Sequence, residues 1–471
     1  MPEPNDTQST IDLVRFPSFA SDRGWRYWLN PRNLWAARYQ RLRADYSIDW
    51  RRAYPYDMIP SEFCDINGPG TRSTPFAALL GGERRKFRFL VLGDTGEGDR
   101  SQYCLLPLIH ALAPDFMIIN GDVAYPAGRF GPDRNSDDYL AGFFEPYRGL
   151  DIPIWAVPGN HEYYSDRKGQ EFFELFCTRA RERDWAQYGL RLIPQPGTYW
   201  ELKDAKLRND LVVIGIDSGR GANLDGHHSW WQVWKRRESP DREQLSWLCD
   251  RLGQAEIDDQ RVIVMFHIPA LVNERDKSDI HLGELHKMLA AFSCVRLVIT
   301  AHTHNYQQYG PSVFGDYLKR VHGTAFETEP PHYIMSGRGG AYLNATDFDD
   351  GQFRSDFRYP TKKQWGDRMK NLSILPHVQQ LEKSMVGRMV ALFDRDSIYD
   401  MDTEEFLSML LVDVDRTQPT TSVTVTPVCL DGLSVLYGEN PTTDIDITDP
   451  NPPLLSGALN KCLRNEFAIT I

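Results

Sequence analysis

A chain of 471 residues, 41% of them hydrophobic, holds enough apolar material for a large core and more than one domain. Its formal charge of -12 and pI near 5.5 lack the basic footprint of a general nucleic-acid binder, so that partner is excluded. Acidity does not exclude small anionic ligands, because bound cations would dominate the local field.

The opening Met-Pro-Glu-Pro-Asn-Asp has neither the basic start nor the apolar core of a secretion signal, and no apolar run reaches bilayer length. Seven cysteines, Cys64, Cys104, Cys177, Cys249, Cys294, Cys429 and Cys462, are odd in number and scattered. A soluble cytoplasmic protein without transmembrane segments is expected. Nothing in the sequence specifies an oligomeric state.

Residues 1–85 read as an N-terminal extension rich in aromatic residues and Arg. Its middle, 22–52, mixes Trp25, Trp28, Trp35 and Trp50 with many Arg and Tyr, and its apolar positions are not cleanly on one face, so a helical cap packed on the rest of the chain is preferred to a membrane-surface segment. Gly68-Pro69-Gly70 marks a loop or linker. From residue 87 short apolar runs alternate with helical patterns. The runs 87–92, 116–120, 152–157, 261–266 and 295–300 are mostly β-branched and several are bounded by Gly, Pro or Asn, as buried strands are. Run 211–217 is almost continuously apolar, as when both faces of a sheet are covered.

Helices are expected at 102–112, 137–144 and 169–181. Residues 219–234, with His227, His228 and three Trp, read as a loop or insertion beside a site. Ser239-Pro240-Asp241 is a helix start, and Leu245, Leu248, Cys249 and Leu252 follow as one apolar stripe that should bury Cys249. Leu285, Met288, Leu289 and Phe292 form another stripe, and strand 333–336 runs into Gly337-Arg338-Gly339-Gly340. Residues 346–471 form a C-terminal extension without a motif, in part helical over 385–411 and strand-like over 421–428.

Five of these runs end in residues suited to metal ions: Asp94, Asp122 with Tyr125, Asn160 with His161, His267, and the pair His302 and His304. Hard oxygen and imidazole without Cys suit iron, zinc or manganese. Strand ends in one sheet place such groups on a common rim.

In order and spacing these segments resemble the calcineurin-like metallophosphoesterases, and more narrowly the purple acid phosphatases. Commoner members place a His two residues after the first Asp, where this chain has Gly96. Purple acid phosphatases supply instead a Tyr three residues after the bridging Asp, and Tyr125 stands there. The resemblance implies an α/β fold, a four-layer αββα sandwich of two mixed sheets flanked by helices, with the catalytic domain at 86–345. It implies that Asp94, Tyr125 and His304 hold one metal, that Asn160, His267 and His302 hold a second, and that Asp122 bridges both. It further implies Fe(III) at the Tyr125 site, with Zn, Mn or Fe(II) at the second.

The implied activity is hydrolysis of small phosphate monoesters by a dinuclear metal-hydroxide mechanism. His161 would contact the phosphate or protonate the leaving oxygen. His228, His281 and Arg338 are the remaining candidate substrate contacts. Phosphodiesterase action on cyclic nucleotides or phospholipid head groups is the first alternative. A catalytically silent metal-binding interaction scaffold is the second. Ala301 stands where a Gly often precedes the last His pair, and its Cβ is tolerable only at negative φ.

Overall fold

The computed structural model describes residues 13–18, 72–165, 167, 169–204, 209–218, 242–269, 283–322, 329–341, 355–361, 363–364, 406–438 and 444–471. Most of the N-terminal extension, the 219–234 loop, Ser239-Pro240-Asp241, His228 and His281 lie outside them.

The strands run, in chain order, β1 Val14–Arg15, β2 Ser73–Thr74, β3 Lys86–Leu92, β4 Phe116–Asn120, β5 Ile154–Val157, β6 Trp200–Leu202, β7 Leu211–Ile216 and β8 Arg261–Phe266. They continue as β9 Val295–Thr300, β10 Tyr306–Tyr309, β11 His332–Ser336, β12 Phe357–Tyr359, β13 Leu407–Asp415, β14 Ser422–Leu430, β15 Ile445–Asp446 and β16 Ile469–Thr470. One sheet has the order β16-β14-β13-β3-β4-β5, and the other β12-β10-β11-β9-β8-β7-β6-β2. In each the centre is parallel, β3-β4-β5 in the first and β7-β8-β9-β11 in the second, with antiparallel strands added alongside.

Alternation along the strands explains the layering. Phe89, Val91, Phe116 and Ile118 of one sheet share an apolar cluster with Val213, Ile263, Leu297 and Ile299 of the other. Their neighbours Leu90, Leu92, Met117 and Ile119 point outward, into a cluster completed by helices α1 Leu106–Leu112, α2 Gln170–Phe176 and α3 Glu182–Gln187. On the far side Val212, Val264 and Val298 meet α4 Arg242–Ile257, α5 Gly283–Ala291 and α6 Pro311–His322. The result is helix, sheet, sheet, helix, with period-two burial on both faces of each sheet. Each large apolar side chain so withdrawn from water contributes about 1.5–3 kcal/mol.

Several expectations need correction. Residues 407–411 are strand, not helix: they pair with Leu430 to Thr426 of β14 and, at 410–411, with β3. Met and Leu favour a helix in isolation, and a short continuous apolar run has no period to decide the matter. Cys249 is exposed, because the buried face of α4 is Gln244, Trp247, Leu248, Leu252 and Ala255. Gln244 is buried because its amide accepts from Asp217 N at 2.8 Å and donates to Asp217 O at 3.0 Å. The helix expected over 137–144 is a π-helical turn, Leu140–Phe144. The boundary drawn at 345 does not coincide with a break in the fold, since β13, β14 and β16 complete the same sheet as β3. Among the described residues no helix is long and apolar enough to cross a membrane.

Candidate metal centre

The five strand ends meet, but not on one sheet. Asp94, Asp122 and Asn160 follow β3, β4 and β5, whereas His267 and His302 follow β8 and β9 of the facing sheet. Apolar runs buried on both faces look alike in sequence, which is why the partition was not legible there. The site lies where the carboxyl ends of both parallel centres come together.

Asn120, the last residue of β4, joins the two sheets under the site. Its Nδ2 donates to Phe266 O and to Ile299 O, each at 3.2 Å, and its own carbonyl lies 3.0 Å from His267 Nδ1. Nδ1 therefore carries the ring proton and Nε2 is turned into the site. Above this, Tyr125 Oη is 3.1 Å from Asp94 Oδ1, 3.0 Å from Asp122 Oδ2 and 3.1 Å from His304 Nε2. His267 Nε2 is 3.1 Å from Asn160 Oδ1, 3.2 Å from Asp122 Oδ2 and 3.3 Å from His302 Nδ1.

One phenol proton cannot serve three acceptors at once, and neither can one imidazole nitrogen. A cation can face them all. Two overlapping groups, Asp94 with Asp122 and His304, and Asp122 with His267 and His302, each bring their ligand atoms within 4.8 Å of one another. Asp122 is common to both. The residues present thus fit a pair of cations sharing one carboxylate.

The electrostatics agree. Burial works against ionised Asp122, yet His267 and His161 hold its carboxyl well below the usual range. Burial would lower His267, but the Asp122 and Asp94 carboxylates outweigh it and raise it to about 9. These two buried acids draw positive charge to the spot. His302 is held low by burial and by His267, in the neutral form that ligates metals.

The backbone is bent to bring these groups in. Asp94, Asp122, His302 and His304 all adopt positive φ, 54°, 51°, 69° and 51°. Non-Gly residues enter this region rarely, at a cost of order 1–3 kcal/mol each, and they cluster at functional sites. Loop-to-loop bonds hold the geometry: His302 N donates to Asp94 Oδ2 at 2.7 Å, and Asp94 N to Gly121 O at 3.1 Å. Gly121, at φ 88°, packs so tightly that a Cβ would fall on the His267 ring. Ala301 is not among the positive-φ residues, so its methyl is accommodated, buried against Gly93. Gly96 is enforced sterically, because a side chain there would overlap the Val123 carbonyl. Its carbonyl accepts from Tyr125 N at 2.9 Å, so this glycine and the tyrosine expected to compensate for it are bonded to each other.

Two residues here went unassigned in the sequence reading. Glu162 is fully buried and accepts four backbone N–H bonds, from Asp122 at 3.0 Å, Val123 at 2.8 Å, Ala124 at 3.2 Å and Gly159 at 2.6 Å. Burial and the Asp122 carboxylate push it up to about 8, while its backbone donors favour the ionised form. With four donors and, among the described residues, no acceptor for a carboxyl proton, the geometry is that of a carboxylate. Its place two residues after Asn160 was the available signal. Tyr164 is the second, bonded to Asn160 Nδ2 at 2.8 Å.

Of the expected substrate contacts, His161 stands beside the site. Its side chain is 22% exposed, its Nδ1 lies 2.7 Å from Pro126 O, and Nε2 is 3.9 Å from Asp122 Oδ2. Burial lowers its pKa, with Asp122 opposing. Arg338 is only 1% exposed, and its carbonyl accepts from Ser408 N at 2.9 Å. His286 is buried in α5 against Phe266 and Phe314.

Comparison with known proteins places this centre. Residues 87–306 match the family model of the calcineurin-like phosphoesterases, and this stretch is a domain of that family. No curated protein sequence matches the chain. Similar solved structures include GAP50, the anchor in the inner membrane complex of Plasmodium, at 13% identity and TM-score 0.42, covering 74% of this chain and 85% of that one. Purple acid phosphatase PPD1 from yellow lupin (Lupinus luteus) seeds is 11% identical at TM-score 0.39, covering 74% of this chain and 52% of that one. A dimetal phosphatase from Danio rerio is 14% identical at TM-score 0.34, covering 53% of this chain and 87% of that one.

Proposed function

We propose that the protein hydrolyses phosphate monoesters at a two-cation centre. In this reading Asp94, Tyr125 and His304 hold one cation, Asn160, His267 and His302 the other, and Asp122 both. The observation that carries it is the pair of donor groups overlapping at Asp122. When bound, such cations bring coordinated water toward neutral pKa and offset charge growing on the phosphoryl oxygens.

The chain's own residues do the rest. Asp94 and Asp122 set the charge of the site and, pinned at positive φ, fix where its donors lie. His161, with Nδ1 on the Pro126 carbonyl, directs Nε2 at the place where a phosphate would dock. There it contacts the phosphate or, in the protonated form that the Asp122 carboxylate favours, hands its Nε2 proton to the leaving oxygen. Tyr125 offers a hard phenolate oxygen, which favours ferric iron, with zinc, manganese or ferrous iron opposite. Cys104, Cys177, Cys294, Cys429 and Cys462 are buried free thiols, which supports a cytoplasmic location.

The test is metal analysis of protein purified without chelator, with an absorption spectrum and paired monoester and diester assays. Two equivalents of metal, a visible band lost in Tyr125→Phe, and monoester turnover are expected. Turnover of the diester alone would overturn the monoesterase assignment. An unchanged band in Tyr125→Phe would remove the ferric phenolate.

A further inference from the structure

We infer that Tyr164 is a positioning residue with two tasks, its hydroxyl orienting the Asn160 amide and its ring confining His161. This rests on the two-cation reading above. Tyr164 is 9% exposed.

An asparagine amide presents oxygen at one end and NH₂ at the other, and the two orientations are nearly equal in shape. Which end faces the site is decided by hydrogen-bond partners. Asn160 Nδ2 donates to Tyr164 Oη at 2.8 Å, leaving Oδ1 turned inward, 3.1 Å from His267 Nε2. Only the oxygen end binds a cation. Without the Tyr164 hydroxyl, the NH₂ loses its acceptor away from the site, and the inward oxygen loses what holds it there.

The ring acts on the next residue. His161 lies between Tyr125 and Tyr164, with ring centroids 4.2 Å and 4.8 Å away and interplanar angles of 51° and 56°. Its Nδ1 is already bonded to Pro126 O. Three neighbours therefore leave the imidazole little room to turn Nε2 from the site.

The two tasks separate by mutation. Tyr164→Phe deletes the oxygen and keeps the ring; Tyr164→Leu deletes both. Chelator-treated protein is titrated with Mn²⁺ or Zn²⁺ in a calorimeter, beside thermal unfolding. In Tyr164→Phe the second cation should bind about 10–100-fold more weakly, with the first step and the melting temperature unmoved. In Tyr164→Leu, kcat at saturating metal should fall below that of Tyr164→Phe, reporting the His161 contact. A merely packed tyrosine would tolerate Phe, so wild-type binding of both cations by Tyr164→Phe overturns the proposal alone. A wild-type protein that takes up fewer than two cations overturns the two-cation reading and this inference with it.

Discussion

The centre is built from two unlike halves. The sheet holding β3, β4 and β5 supplies the oxygens, Asp94, Asp122, Tyr125 and Asn160, and the sheet holding β8 and β9 supplies the imidazoles, His267, His302 and His304. The oxygen half extends its own strand pairing, Asp94 N donating to Gly121 O and Thr95 N to Asp122 O, and adds one buried carboxylate, Glu162, that gathers four further backbone N–H groups of its loops. On the nitrogen half His267 and Ala301 sit one residue beyond parallel strands, and Ala301 N donating to His267 O extends that pairing. Strand register holds both halves, and the oxygen half adds the Glu162 clamp. Loss of that clamp should therefore loosen the oxygen loops before the histidine side.

The largest break in this asymmetry is at the residue both cation sets share. Asp122→Asn should cut turnover by roughly three orders of magnitude and take metal content below two equivalents. Undiminished turnover would refute the proposed chemistry. Next comes the clamp. Glu162→Gln puts an NH₂ against backbone N–H donors and should cost about 2–4 kcal/mol of stability in urea unfolding, with weaker metal uptake. An equal melting curve would show that the loops are held otherwise.

The smallest effect contrasts the buried polar residues behind each sheet. Glu171 on α2 is pushed up to about 7, chiefly by burial, with Ser165 Oγ donating to it at 2.8 Å. Gln244 on α4 is buried too but carries no charge. Because the folded pKa of Glu171 lies above its ordinary 4.5, the native state binds the proton more tightly. Stability from this group is whole below about 4.5 and drains away as pH rises through about 7, by at most ~3 kcal/mol. Glu171→Gln should flatten that part of the pH profile. A variant with the wild-type slope would assign it elsewhere.

Much of this was legible because the candidate ligand residues follow short apolar runs, and a strand end is the easiest boundary to read from a buried segment. Asp94, Asp122, Tyr125, Asn160, His267, His302 and His304 were all singled out on that basis, and the structure brings them together. What escaped reading shares one cause: its meaning lies in the partner. Glu162 is an acid like any other until four N–H groups are seen around it. Residues 407–411 are helix formers until β3 and β14 flank them. Cys249 misses the buried face of α4 by one position, because the polar Gln244 holds a place in that face through its bonds to Asp217.

Asn120 carries one further consequence. Its amide is buried, and both its donor bonds end on carbonyls of the opposite sheet. Sliding one sheet past the other by a residue would strand those groups, at about 1–3 kcal/mol apiece, whereas the apolar contacts farther along are indifferent to small displacements. At the other end Arg261 reaches across to the Thr421 and Ile471 carbonyls and Arg416 to Asp210, so the sandwich is pinned at both ends and shear of one sheet on the other would break polar bonds at each.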